Sequence, residues 1–292
     1  MFSAALSFWT FFTVLTMDQS IYKLSKIYKA LVLSRPSKVC KSPYLCDIQV
    51  FDGNENIIED NVMAHSPALG CCGLIAKDAY VLCTKSESTK NKSKYIIHQV
   101  LQNDSIIGVN PMLANPIVKS LLLNNKIDEF RDISELQSEV TIDESRFDYT
   151  FLTKSGQKVF LEVKNVPLAD VVDISAKERK RKDLSQYDLS KKIAIFPDGY
   201  RKNKSEPISA RALKHVNHLA SIRREDPNII CALLYLIQRN DVVSFKPSSL
   251  DTIYEQAVYD AQKCGVMILP ICVEWIDNEC YYLKRVDLLP QK

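Results

Sequence analysis

Residues 145–165 read SRFDYTFLTKSGQKVFLEVKN, from Ser145 to Asn165, and this stretch decides the fold. Two apolar, β-rich runs flank Lys154-Ser155-Gly156, which is the pattern of a hairpin. A three-residue loop with Gly156 in the left-handed position pairs Thr153 with Gln157, and counting outward sets Asp148 opposite Glu162. Side chains alternate along a strand with period two. One face is therefore expected to carry Phe147, Tyr149, Phe151, Val159, Leu161 and Val163, and the other Arg146, Asp148, Thr150, Phe160, Glu162 and Lys164. A two-residue Ser155-Gly156 loop would instead place Asp148 opposite Val163 and send Glu162 and Lys164 to the opposite face.

In the first register two carboxylates and a lysine share a face. Paired carboxylates are oxygen ligands suited to Mg2+. A cation there could polarise a phosphoryl oxygen, and Lys164 could position a water or stabilise developing negative charge. The same charges also suit the solvated face of an amphipathic hairpin, so the rest of the chain has to decide.

The length of 292 residues predicts one or two domains. An apolar fraction of 46% with 25% charged residues describes an ordinary globular chain. A net charge of +3 is too small to indicate a nucleic-acid partner, so any basic footprint must be local. The nine cysteines form no C-x-x-C pair, which predicts reduced thiols, an intracellular reducing compartment and no structural zinc. His215 and His218 stand at i, i+3 spacing without the cysteines a zinc site would need. Residues 1–16 are uncharged and apolar but lack the basic start of a signal peptide. They also fall short of the roughly 20 residues of a spanning helix. Translation from Met17 or a dispensable extension is expected, with membrane association a minor alternative and no stable membrane partner.

Between residues 30 and 95, short β runs at 31–33, 46–51, 62–64 and 79–83 predict a small five-stranded, OB-like barrel. Residues 85–94 form a basic polar loop. From residue 115 the composition shifts. NPIVKSLLLNN (115–125) reads as a helix with Asn115 as N-cap and Pro116 at its first position. A strand at 139–142 and the hairpin follow. Residues 174–192 are highly charged and read as a solvated insertion or a nucleic-acid contact. Helices at 207–222 and 250–264 alternate with apolar strands at 229–237 and 266–273 and a short strand at 280–283. That order describes an α/β domain with a mixed sheet.

Several short motifs stand in order along the chain: Ala64-His65-Ser66-Pro67, Gly108-Val109-Asn110 with Leu113 and Asn115, Ser145-Arg146-Phe147-Asp148, Glu162-Val163-Lys164, Phe196-Pro197-Asp198, Lys214-His215, and Gln238-Arg239-Asn240-Asp241 with Phe245-Lys246-Pro247. In that order, from about residue 31 to residue 290, the chain resembles the sugar fermentation stimulation protein A (SfsA) family. The resemblance implies an N-terminal extension (1–29), an OB-like β-barrel (30–100) and a PD-(D/E)xK nuclease-like α/β domain (101–292) with a mixed sheet flanked by helices. It implies DNA binding without marked sequence preference, and a proposed regulatory role in sugar metabolism for bacterial members. Carried over residue by residue, the nuclease-type set falls on Asp148, Glu162 and Lys164, with Glu139 as a further metal contact and Mg2+ or Mn2+ as the cofactor. DNA contact is expected from Arg146, Lys180, Arg181, Lys182, Lys214 and Arg239. This sequence departs from the family after Pro67, where Ala68-Leu69-Gly70-Cys71-Cys72 replaces Asn-Thr-Gly-Arg-Met, and at Ala212, where the family has glycine. Residues 174–192 and 200–207 look inserted. Two function classes stay open: a divalent-metal-dependent deoxyribonuclease, and a non-catalytic DNA-binding regulatory protein.

Overall fold

Five strands close into a ring in the N-terminal half. They are β2 (Ile27–Ser34), β3 (Leu45–Phe51), β4 (Ile57–His65), β5 (Tyr80–Lys85) and β6 (Tyr95–Gln102), and they follow β1 (Tyr22–Lys23). Strand β2 pairs antiparallel with both β3 and β5. The ring closes where β4 runs parallel to β6 through Ala64–Tyr95 and His65–Ile96. Alternate residues fill its interior: Ala30 and Val32, Cys46, Ile48 and Val50, Val81 and Cys83, Tyr95 and Ile97. This is the period-two filling of a small barrel, as expected. Burial pushes the thiols of Cys46 and Cys83 up to about 12, so they behave as small apolar residues. All nine cysteines are free. The structure, a computed structural model, describes residues 19–291 except 70, 89–90, 143–144, 200–202 and 204, and only the backbone of Ala176. The apolar run at 1–16 therefore lies outside the described residues. No described helix is long and apolar enough to cross a membrane.

Strand β7 (Ser105–Gly108) leads out of the barrel into the second half. There follow α1 (Ala114–Leu123), β8 (Ser134–Ile142), β9 (Ser145–Leu152), β10 (Lys158–Asn165), β11 (Ala169–Asp170), α2 (Ala176–Arg179) and β12 (Lys192–Phe196). After them come α3 (Ala210–Glu225), β13 (Ile230–Ile237), β14 (Val242–Pro247), α4 (Thr252–Lys263), β15 (Met267–Ile276), β16 (Glu279–Arg285) and β17 (Asp287–Leu288). A seven-stranded mixed sheet runs β1-β16-β15-β13-β10-β9-β8, with β10, β13 and β15 parallel. A smaller sheet runs β11-β12-β14-β17. Strand β1, before the barrel in sequence, is thus an edge of the large sheet.

Both faces of the large sheet are covered. Helix α1 places Ile117, Val118 and Leu121 against Tyr149, Phe151 and Leu161 on one side. Helices α3 and α4 place Val216, Leu219, Tyr254 and Val258 against Phe160, Leu233 and Tyr235 on the other. Burial on both faces explains the continuous apolar run of β13. Strands β12 and β14, which the sequence pattern does not announce, form the second sheet over the α3–α4 side.

A tight junction locks the barrel to this domain. The Gly108 N–H donates to the Gln238 carbonyl at 2.8 Å, and a Cβ on Gly108 would stand 2.3 Å from Gln238 Oε1. Only glycine allows this approach. Gln238 Oε1 accepts from Trp275 Nε1 at 3.1 Å, and its Nε2 donates to Asn165 Oδ1 at 2.7 Å.

Candidate active site at the open end of the hairpin

The hairpin has the three-residue loop. Thr153 N–H donates to the Gln157 carbonyl at 2.9 Å, Gly156 N–H to the Thr153 carbonyl at 2.8 Å, and Gly156 has φ of +79°. The ladder runs Leu152–Lys158, Phe151–Val159, Thr150–Phe160 and Tyr149–Leu161. It stops one pair short of Asp148 and Glu162. There Asp148 Oδ2 accepts the backbone N–H of Val163 at 2.8 Å, and Oδ1 accepts from Asn115 Nδ2 at 2.7 Å.

Two expectations are corrected at this point. Asn115 is not the helix cap: α1 begins at Ala114, and the Asn115 side chain reaches Asp148 while its carbonyl accepts the Tyr149 hydroxyl at 2.7 Å. The capping asparagine is Asn110, which accepts from Met112 N–H ahead of the short 3-10 turn Pro111–Leu113. Phe147 does not share the face of Tyr149. It packs on Phe160, His215 and His218 at ring-centroid distances of 5.5, 6.3 and 5.3 Å. Beyond the last β9–β10 pair, β9 is paired by β8 alone, through Val140–Phe147 and Thr141–Arg146, and strict alternation fails there.

Glu162 is 2% exposed. Lys164 Nζ and His215 Nδ1, the latter from α3, both donate to its Oε1. Its Oε2 is buried with no hydrogen-bond partner among the described residues, an arrangement that costs about 1–3 kcal/mol when an acceptor stays unsatisfied. The two carboxyls are pushed apart. Burial and then the charge of Glu162 raise Asp148 above its ordinary value, against the pull of Val163 N–H, Asn115 and Lys164. Burial also opposes ionisation of Glu162, but His215 and Lys164 outweigh it and hold that carboxyl low. Opposed shifts in neighbouring carboxyls occur at chemically active sites and in buried structural ion pairs alike.

The donor set fits a divalent cation on two observations. Asp148 and Glu162 repel each other in a way that a cation would relieve. Glu162 Oε2 is a hard oxygen acceptor without a donor among the described residues. Among the described residues no three His, Cys, Asp or Glu side chains form a ready-made metal cluster. A cation here would rely on two carboxylates plus water or phosphate oxygens, the manner in which Mg2+ is commonly held.

The other expected residues lie elsewhere. Glu139, 61% exposed at its side chain, pairs with Arg146 Nη1 at 3.6 Å across the β8–β9 ladder. It makes no hydrogen bond to Asp148 or Glu162 among the described residues. Arg239 is corrected: it is 1% exposed, with Nε and Nη2 on Asp241 at 2.6 and 2.8 Å and Nη1 on the Pro167 carbonyl at 2.8 Å. Its guanidinium is an internal brace and cannot reach DNA. Lys180, Arg181 and Lys182 are exposed after α2, with Lys182 over the Tyr187 ring. Lys214 is exposed on α3. Of the basic loop at 85–94, Lys85 and Lys94 both pair with Glu59. Residues 201, 202 and 204 lie outside the described residues.

Sequence reasoning missed Asn115, His215 and Gln238 as parts of this region. Each stood in a motif that carries the family resemblance, but nothing in the spacing said that Asn115 and His215 approach the carboxylates from opposite faces of the sheet.

The family model described as "Sugar fermentation stimulation protein RE domain" matches residues 112–177 and 180–279. Sugar fermentation stimulation protein homologs are similar along most of the chain. The one from Pelagibacter ubique is 30% identical, covering 82% of this chain and 91% of the relative. That from Prochlorococcus marinus is 27% identical over 89% and 93%. The structure of Pyrococcus furiosus SfsA in complex with Ca2+ has the same fold, with a TM-score of 0.70 at 16% identity, covering 94% of this chain and 100% of that one. The chain belongs to the sugar fermentation stimulation protein (SfsA) family.

Proposed function

We propose that this protein binds DNA with little sequence preference and hydrolyses it in a divalent-cation-dependent reaction of the PD-(D/E)xK type. The observation that carries the reading is the convergence of Asp148, Glu162 and Lys164 at the open end of the hairpin, with Glu162 Oε2 left without a partner among the described residues. The Ca2+ complex of the Pyrococcus furiosus relative supports a site for a hard, oxygen-seeking cation in this fold. Asp148 and Glu162 would hold Mg2+ or Mn2+, which would supply Lewis-acid polarisation of a phosphoryl oxygen. Asn115 and the Val163 N–H fix the Asp148 carboxylate. Lys164 orients the attacking water and stabilises the charge that builds on the phosphate oxygens. The exposed Lys180, Arg181, Lys182 and Lys214 supply phosphate contacts, which carry most sequence-independent affinity.

A non-catalytic DNA-binding regulator is the second reading. One observation favours it: Lys164 is engaged with Glu162 rather than open to a substrate. The test is incubation of the purified protein with single- and double-stranded DNA, with and without Mg2+ or Mn2+, beside Asp148→Asn. Cation-dependent cleavage lost in Asp148→Asn, with DNA binding kept, is the expected result. Binding without cleavage by the wild type under any of these conditions would leave the regulatory reading.

A further inference from the structure

Among the described residues, Glu162 has two donors on one oxygen and none on the other. A purely structural ion pair in a buried setting would spread its donors, because every unsatisfied acceptor is costly. The two donors also differ in kind. Lys164 stands two residues along the same strand on a flexible four-carbon stem, and its side chain is 12% exposed. His215 comes from α3, between the buried Ala212 and Leu219, with its ring set edge-on to Phe147 at 6.3 Å and 64°. A carboxylate can only accept, so Nδ1 carries the proton of this bond. The imidazole is fixed by packing, whereas the ammonium can swing away.

We propose that His215 is the positioning residue of Glu162. It keeps hold of Oε1, so that Oε2 stays available to a divalent cation and Lys164 can leave the carboxylate for the phosphate. This inference rests on the metal-dependent reading above. It also accounts for the engagement of Lys164 with Glu162 as a resting contact, with His215 as the partner that remains.

The test is calorimetric titration of Ca2+ and of Mn2+ into the full chain, without DNA. Wild type is compared with His215→Leu, which removes the donor and keeps apolar bulk against Phe147, and with His215→Asn, whose amide N–H falls near the position of Nδ1. His215→Leu is expected to weaken cation binding about 10- to 100-fold, and His215→Asn to stay within about 3-fold of wild type. Equal affinity for wild type and His215→Leu would overturn the positioning role and leave the cation site standing. Failure of the wild type to bind either cation would remove the site and this role together. Should His215→Leu not fold, proton NMR of Lys164→Ala decides. The His215 Nδ1–H signal, shifted downfield by the carboxylate, is expected to persist there, and its loss would show that His215 cannot hold Glu162 alone.

Discussion

Asp148 accepts the backbone N–H of Val163 at 2.8 Å, just past Tyr149–Leu161, the last pair of the β9–β10 ladder. A side-chain carboxylate replaces the strand partner that β10 loses at this point. The same group is held from the other side by Asn115, so the residue expected to bind a cation is also a structural clamp on the strand that carries Glu162 and Lys164.

Charge and clamp can be separated by substitution. Asp148→Ala leaves the Val163 N–H and the Asn115 amide without their acceptor and is expected to cost about 1–3 kcal/mol. Asp148→Asn keeps one oxygen for Val163 and removes the charge that Glu162 repels. Burial and Glu162 raise the folded carboxyl above its ordinary 3.8, so between the two values the native state binds the proton more tightly than the unfolded chain. That contribution is complete below 3.8 and is lost as pH rises through the folded value. The stability of Asp148→Asn relative to wild type should therefore increase with pH across that window. Urea unfolding on both sides of it reads the difference, and a decrease would contradict the sign.

Glu162 behaves oppositely. His215 and Lys164 hold its carboxyl below the ordinary 4.5 despite burial, so its contribution is present above 4.5 and is lost as pH falls through the folded value. Glu162→Gln leaves Lys164 and His215 facing a neutral amide. A loss of about 3 kcal/mol is expected at neutral pH, at the low end for breaking a buried pair because Lys164 can reach solvent. The deficit should shrink under acid conditions, where the wild-type carboxyl is protonated too.

At the junction, Gly108→Ala drives a methyl into Gln238 and disturbs its bonds to Trp275 and Asn165. Overpacking of this kind costs about 1–3 kcal/mol, and Trp275 fluorescence should report it. The double variant with Gln238→Ala is expected to cost less than the sum of the two single changes, because the clashes with Oε1 and Cδ are relieved and only the 2.7 Å approach to the Gln238 Cβ remains. Strict additivity would mean that the barrel and the large sheet meet without this contact bearing on stability.

The register of the hairpin is legible in the sequence because Gly156 dictates one loop length and the β-rich runs fix the rest. Legibility ends where pairing with β10 ends. Phe147 and Asp148 lie beyond the β9–β10 ladder, where β9 is paired from one side only, by β8 through Val140–Phe147 and Thr141–Arg146. Asn115 has the composition of a cap, but a carboxylate from a distant strand competes for its amide. Arg239 reads as a phosphate contact because charge alone does not reveal burial, although Asp241, two residues on, carries the acid that neutralises it. Strands β12 and β14 are short, and each mixes apolar residues with a lysine or serine, so neither stands out from the charged segment or the turn before it.

The contrast between Arg239 and the exposed basic residues yields the last prediction. Binding of unrelated DNA duplexes, followed by fluorescence anisotropy over a range of salt, should weaken steeply with salt and depend little on sequence. Replacing Lys180, Arg181 and Lys182 with alanine is expected to lower affinity and to flatten the slope of log affinity against log salt by up to about 3, since each phosphate contact contributes roughly 0.9. Arg239→Ala should act on stability instead. It leaves the Pro167 carbonyl without its donor and Asp241 with Lys192 alone, and Asp241 is now held down to about 2, against its burial, by Arg239 and Lys192 together. A loss of about 3 kcal/mol is expected from breaking this buried pair, with the salt slope of the folded protein unchanged. Asp148→Asn removes a negative charge beside the phosphate path, so its DNA affinity should hold or rise while cleavage disappears. A triple variant with an unaltered slope would show that the phosphates run along another face, and Lys214 on α3 would be the next residue to replace.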